Sequence, residues 1–211
     1  MGWKYGKLIS SGRAVKRWVE GQHYSYYVRQ SDHQSGMAHL SKMSALQLDA
    51  SPSGGNVSFT SRELRIAVVF SQEVLTHFES HRQIRRSQPE VGGQLFAELR
   101  GDEVHIVRVT GPHSTDRKGC AWFRPNQNRQ NREIGALFKV GLHFVGDWHT
   151  HPEKIPEPSR LDLDSMADSY EKSRHQLRAF IMVIVGQVSA PAGLWVGLHS
   201  SSTCERLYRL T

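Results

Sequence analysis

Residues 146–165, GDWHTHPEKIPEPSRLDLDS, restrict the fold of this chain more than any other stretch. Phe144–His151 is apolar and β-branched enough to read as a strand. Prolines 152, 156 and 158 follow at once. Each fixes φ near −65° and lacks an N–H, so the segment can be neither helix interior nor central strand. Ser159 then precedes Leu163, Met166 and Tyr170, whose spacing marks one face of a helix over Arg160–Arg174. Ser159 and Asp162 stand as an N-cap and an acidic N3 residue, similar to a capping box. A strand, a stiff loop and a helix start are therefore set end to end.

The remaining chain supplies the other layers. Leu64–Phe70 reads as a strand, and Ser71 caps a helix to about Arg85 with Val74, Leu75, Phe78 and His81 on one face. Gly92–Leu99 and the run from Val104 read as a hairpin around Gly101-Asp102. The alternation changes phase at Val107, which a bulge or a strand end would produce. Gly111–Gly119 reads as a polar loop, Cys120–Arg124 as a short strand and Gln127–Val140 as a helix. Ala179–Gly186, Leu194–His199 and Arg206–Leu210 complete a sheet. Strands and helices interleave without a strict βαβ repeat, so the expected class is α/β: a mixed, curved sheet sandwiched by helices.

Residues 1–60 lack sustained periodicity apart from a short aromatic stretch, Tyr24 to Val28. Asp49–Val57 is rich in Ser, Gly and Pro and reads as a linker. The expected division is an N-terminal extension over 1–60, weakly ordered or the product of an upstream start, and one domain over 61–211. The 211 residues suffice for one core. The longest apolar run, Ala179–Val185, is strand-sized, far below the roughly 18–20 residues of a membrane span. With no apolar leader and only two cysteines, Cys120 and Cys204, the chain is expected in a reducing cytoplasm. The net charge of +7 is partly a property of residues 1–64, which hold 8 basic and 4 acidic residues. No nucleic-acid-binding module or phosphate loop accompanies it, so a dedicated nucleic-acid binder is not expected.

His149 and His151 are two apart, so on a strand both point to one face and both imidazoles can reach one ion. Asp162 follows after the proline loop. Two histidines and a carboxylate form a catalytic zinc set with one position left open, whereas a structural site would draw on four ligands rich in Cys. Ser159 lies one turn from Asp162 and could donate to a substrate oxyanion. Asp147 shares the face of His149 and is either a partner to an imidazole N–H or merely solvated. Trp148 points the other way, into the core. Glu90, Glu153 and Glu157 are rival bases that spacing alone does not rank. Cys120 reads as a plain buried thiol unless the 111–120 loop folds over a cleft.

The segment resembles the JAB/MPN (JAMM) metalloprotease motif: a distant Glu, then HxH, ten residues and Asp, with Ser three before the Asp. Glu90, His149, His151, Ser159 and Asp162 match each element, and EVGGQLF resembles the family's opening around its Glu. The stretch GPHSTDRKGCAWFRPNQN and the wording WHTHPE…PS.LD are most similar to bacterial stand-alone JAB proteins found with CD-NTase antiphage or bacterial ubiquitin-like operons. The likeness covers about residues 64–211. It implies a cytidine-deaminase-like architecture and one Zn2+ held by His149, His151 and Asp162. It makes Glu90 the general base and Ser159 the oxyanion donor. The implied activity is isopeptide hydrolysis after the C-terminus of a ubiquitin-like protein or conjugated enzyme, those proteins being the partners, with no membrane and an undefined oligomeric state. The alternatives are a peptidase acting on a small sulfur-carrier protein and a non-catalytic MPN scaffold.

Overall fold

The computed structural model describes residues 55–201 and 203–210. Tyr24–Val28 and most of the 1–60 stretch lie outside the described residues. In chain order the elements are β1 (Val57–Thr60), β2 (Ala67–Phe70), α1 (Gln72–His81), β3 (Gly92–Arg100), β4 (Glu103–Val109), β5 (Arg117–Gly119) and β6 (Trp122–Arg124). Then come α2 (Gln127–Phe138), β7 (His143–Thr150), α3 (Arg160–Lys172), β8 (Phe180–Val185), β9 (Leu194–His199), β10 (Cys204–Arg206) and β11 (Tyr208–Arg209).

Nine strands form one sheet in the order β10-β9-β8-β7-β3-β4-β2-β1-β11. The β2–β4 and β7–β8 pairs are parallel and the others antiparallel, which makes the sheet mixed. Its first and last strands are separated in sequence by Leu207 alone. One pairs with β9 and the other with β1, so a single C-terminal segment joins both ends and curls the sheet closed. Leu207 is buried at that corner and its N–H reaches Val196 O at 2.9 Å. Glu205 fastens the seam by accepting from the Ser61 hydroxyl and from the Arg62 N–H.

Each face of the sheet carries its own apolar cluster. On one side α1 lays Val74, Leu75 and Phe78 against Phe70, Leu95, Trp148 and Val183. On the other, Ile134 and Leu137 of α2 and Leu163, Met166 and Tyr170 of α3 cover Phe96, Phe144, Phe180 and Met182. Every such buried side chain contributes roughly 1.5–3 kcal/mol of transfer free energy. The expected sandwich of helices on a mixed curved sheet is the observed architecture. Among the described residues no helix is long and apolar enough to cross a membrane.

The phase change in β4 is a bulge. Phe96 pairs with Arg108 and Ala97 with Ile106, so Val107 is the extra residue. Three local expectations differ from the structure. The sheet begins at β1, within the stretch read as an extension; four residues carry too little periodicity to announce a strand. Helix α1 ends at His81 rather than about Arg85, because Gln83 turns inward and donates from Nε2 to Gln88 O and Cys120 O. The polar loop before Cys120 holds β5, paired with β6 in a separate hairpin whose solvent-facing residues show no apolar alternation.

Candidate metal centre

The register between β3 and β7 sets Gly92 opposite His149. One rung further, Thr150 N–H donates to Val91 O (2.9 Å) and Val91 N–H to Thr150 Oγ1 (3.1 Å). Side chains alternate along a strand, so Glu90, Gly92, His149 and His151 lie on one face. Glu90 is 3% exposed, and its N–H donates to Gly119 O of the β5–β6 hairpin at 2.8 Å. The glycine pair just after it permits close approach. A Cβ on Gly92 would lie 2.4 Å from Trp148 O, and one on Gly93 would lie 1.7 Å from Thr110 O.

The structure brings His149, His151 and Asp162 together. The two Nε2 atoms are 3.1 Å apart. Asp162 Oδ1 is 3.5 Å from His149 Nε2, and Asp162 Oδ2 is 3.4 Å from His151 Nε2. Ligand bonds of about 2.0–2.1 Å imply tetrahedron edges of about 3.3–3.4 Å, so these donors already stand at zinc spacing. Glu153 Oε2 lies 3.2 Å from His151 Nδ1. A proton on Nδ1 directed at that carboxylate leaves the Nε2 lone pair facing the site. Glu153, a rival base in the sequence, thus sits on the far side of a ligand ring. Glu157, the other rival, pairs with Arg206 at 2.8 Å.

Glu90 belongs to the same cluster. Its carboxylate and the two imidazoles offer ligand atoms that all lie within 4.8 Å of one another. Two triads therefore compete for a cation, Glu90 with the histidines and Asp162 with the histidines. In the Asp162 set each carboxylate oxygen lies within 3.5 Å of an imidazole nitrogen. Glu90 lies beside the two imidazoles. The residues present fit a single zinc ion.

Ser159 caps α3 in a complete capping box. Its N–H and its hydroxyl both donate to Asp162 Oδ2, at 2.7 and 2.6 Å, and Asp162 N–H returns a bond to Ser159 Oγ at 3.2 Å. The hydroxyl expected to face an oxyanion therefore rests on Asp162 and holds that carboxylate in place.

Asp147 lines the cleft next to His149; burial pushes its carboxyl up to about 7, and the neighbouring imidazole opposes the shift. Trp148 is buried, packs on Phe78 and donates from Nε1 to Thr110 O at 3.0 Å. Cys120 is exposed rather than buried, because it sits at the β5–β6 turn, where its thiol reaches Ser87 O at 3.5 Å.

A cleft of ≈ 70 Å³ runs from Glu90, His149 and Asp162 between the β5–β6 hairpin and α3. Trp122, Phe123 and Pro125 wall one side, with Gln130 beside them. Sequence reasoning missed these four. Trp122 and Phe123 offered only a short strand, and Gln130 is a polar residue in the first turn of a helix.

The Prok-JAB family, described as prokaryotic homologs of the JAB domain, matches residues 72–196. That stretch includes Glu90, His149, His151, Ser159 and Asp162. The chain is similar to a CD-NTase/cGAS isopeptidase of Escherichia coli, 28% identical over 66% of this chain and 86% of that protein. It is similar to another of Vibrio cholerae serotype O1, 32% identical over 62% of this chain and 80% of that protein. Among solved structures it is similar to the solution structure of a Desulfitobacterium hafniense protein, with TM-score 0.48 and 18% identity over 66% and 88% of the two chains. The breadth of the family match, more than half of the sequence, places this chain in the prokaryotic JAB-domain family.

Proposed function

We propose that this protein is a zinc-dependent isopeptidase that hydrolyses the bond after the C-terminus of a ubiquitin-like protein or of an enzyme conjugated to a target. The observation that carries the proposal is the convergence of His149, His151 and Asp162 at zinc spacing beside the buried Glu90, at the end of a narrow cleft. The relatives named CD-NTase/cGAS isopeptidase support the substrate class. The unit that carries the chemistry is the closed sheet with its helices, from Val57 onward, with the residues before it as an extension.

His149, His151 and Asp162 would hold the ion. Zinc so held supplies Lewis acidity, making a water nucleophilic near neutral pH and polarising a carbonyl. Glu90 takes the proton of the attacking water and hands one to the leaving lysine amine. Its backbone N–H bond to Gly119 O ties the residue to the β5–β6 hairpin. Ser159 positions Asp162, and a rotation about χ1 would turn its hydroxyl toward the carbonyl oxygen as charge develops there. An extended tail would lie in the cleft as an added strand. The main sheet is closed, so the strand edges beside the cleft belong to the β5–β6 hairpin.

The test uses the purified full chain and a conjugate of the ubiquitin-like protein or enzyme joined to its target. Cleavage should stop on complete chelation, return with one equivalent of zinc and fall by about 10²–10⁴-fold in Glu90→Gln. Cleavage that persists without metal, or an unimpaired Glu90→Gln, would refute the mechanism. A chain that binds the conjugate and never cleaves it would be a scaffold.

A further inference from the structure

The loop before Glu90 and the β5–β6 hairpin are fastened together at the mouth of the cleft. Glu90 N–H bonds Gly119 O, Gln83 Nε2 bonds Cys120 O at 3.0 Å, and the Cys120 thiol reaches Ser87 O. These two segments carry Arg85, Arg86, Arg117, Lys118 and Arg124, of which all but Arg124 are exposed. None makes an ion pair with a described carboxylate. Two acids of the adjoining loop and helix are committed elsewhere. Asp116 accepts the backbone N–H groups of His113 and Asn126, and Glu133 pairs with Arg129 and His113. Arg117 and Arg124 are direct cross-strand partners, so two like charges face each other on one side of a two-stranded ribbon. That arrangement is destabilising unless an anion sits between them. Two large apolar side chains interrupt the cationic rim: Ile84, 59% exposed, and Trp122, 42% exposed.

We infer that this rim is a docking surface for an acidic protein surface with an apolar centre, carried by the partner whose peptide tail enters the cleft. The inference rests on the proposed peptidase function for the identity of the tail. Arg and Trp are enriched at protein interfaces and dominate their energetics, and interleaved apolar side chains set this rim apart from a purely cationic strip. Unpaired surface cations steer an acidic partner toward the site and speed association. The apolar pair gives the encounter complex contacts that salt does not screen.

The probes are a fluorescent peptide rich in Asp and Glu around a central Leu-Phe pair, and a single-stranded DNA of equal charge. Anisotropy of each is read with the full chain at physiological ionic strength. The peptide should bind. Reversal by Arg85→Glu, Arg86→Glu and Lys118→Glu together should weaken it by about tenfold or more. Trp122→Ala should weaken it at high salt, where charge is screened. A control reversal of exposed cations elsewhere, Arg65→Glu, Lys139→Glu and Arg209→Glu, should leave affinity within about twofold if the rim and not net charge is responsible. Equal loss in the control, or no peptide binding, overturns the inference. Tighter binding of the DNA, lost with the same rim residues, overturns it in favour of a nucleic-acid surface. Cleavage is not the readout, so failure here leaves the peptidase test standing, and failure there leaves the binding result intact.

Discussion

Gly93→Ala asks how tightly the floor of the site is built. The added methyl would stand 1.7 Å from Thr110 O and 2.9 Å from Trp148 Nε1. An ordinary carbon–oxygen contact is over 3 Å, so the carbonyl must retreat by roughly 1.5 Å. The Thr110 carbonyl is backbone, so no rotamer change relieves that clash. Thr110 O also accepts the Trp148 indole N–H at 3.0 Å, and Thr110 N–H bonds Gln94 O at 3.0 Å. Overpacking costs about 1–3 kcal/mol. Leaving the buried indole N–H without its acceptor adds about 1–3 kcal/mol. The expected loss is therefore about 2–6 kcal/mol. Urea unfolding, followed by far-UV circular dichroism, reads it as a fall in midpoint of about 1 M or more at unchanged slope. Gly135→Ala is the matched control. Gly135 is an exposed helical position with nothing within 4 Å of the new methyl, so the same substitution should stabilise by about 0.5–1 kcal/mol. A Gly93→Ala protein within about 0.5 kcal/mol of wild type would refute the claim that rigid backbone contact sets this position.

Two further outcomes are expected. Ser159→Ala removes the N-cap of α3 and the hydroxyl that holds Asp162, so stability should fall by about 1 kcal/mol. Zinc affinity, read by competition with a chromophoric chelator, should fall by about 10–100-fold; an unchanged affinity would show that Asp162 needs no such support. His199 is 2% exposed and desolvation lowers its pKa to about 4. The unfolded chain protonates this group near its ordinary 6.5. Its contribution to stability is thus complete above about pH 6.5 and lost between there and about pH 4. Between pH 7.5 and 4.5 the wild type should lose about 2–3 kcal/mol more than His199→Gln. Parallel urea midpoints for the two proteins would show that His199 is protonated equally in both states.

Period and residue chemistry carry information only over short distances, and that limit explains what could be read in advance. The HxH spacing on a strand, the proline loop and the Ser159/Asp162 cap are local, and each is where it was expected. The bulge at Val107 was visible because a single extra residue inverts the alternation. Elements of three or four residues, β1 and β5, carry too few positions to show a period.

By itself the sequence determined which residues face together locally: His149 near the end of β7 with His151 just past it, and the N-cap Ser159 with Asp162 in the first turn of α3. It left three acids as candidate bases. The tertiary structure separates their positions, because these depend on what crosses from another strand. The β3–β7 register sets Glu90 on the histidine face, while the fold turns Glu153 toward the far side of His151 and Glu157 toward Arg206. The closure of the sheet is likewise a tertiary decision. It rests on one buried residue, Leu207, and on hydrogen bonds between segments more than 140 residues apart, Ser61 to Glu205. No local pattern encodes a partner at that distance; only the packing of the whole chain selects it.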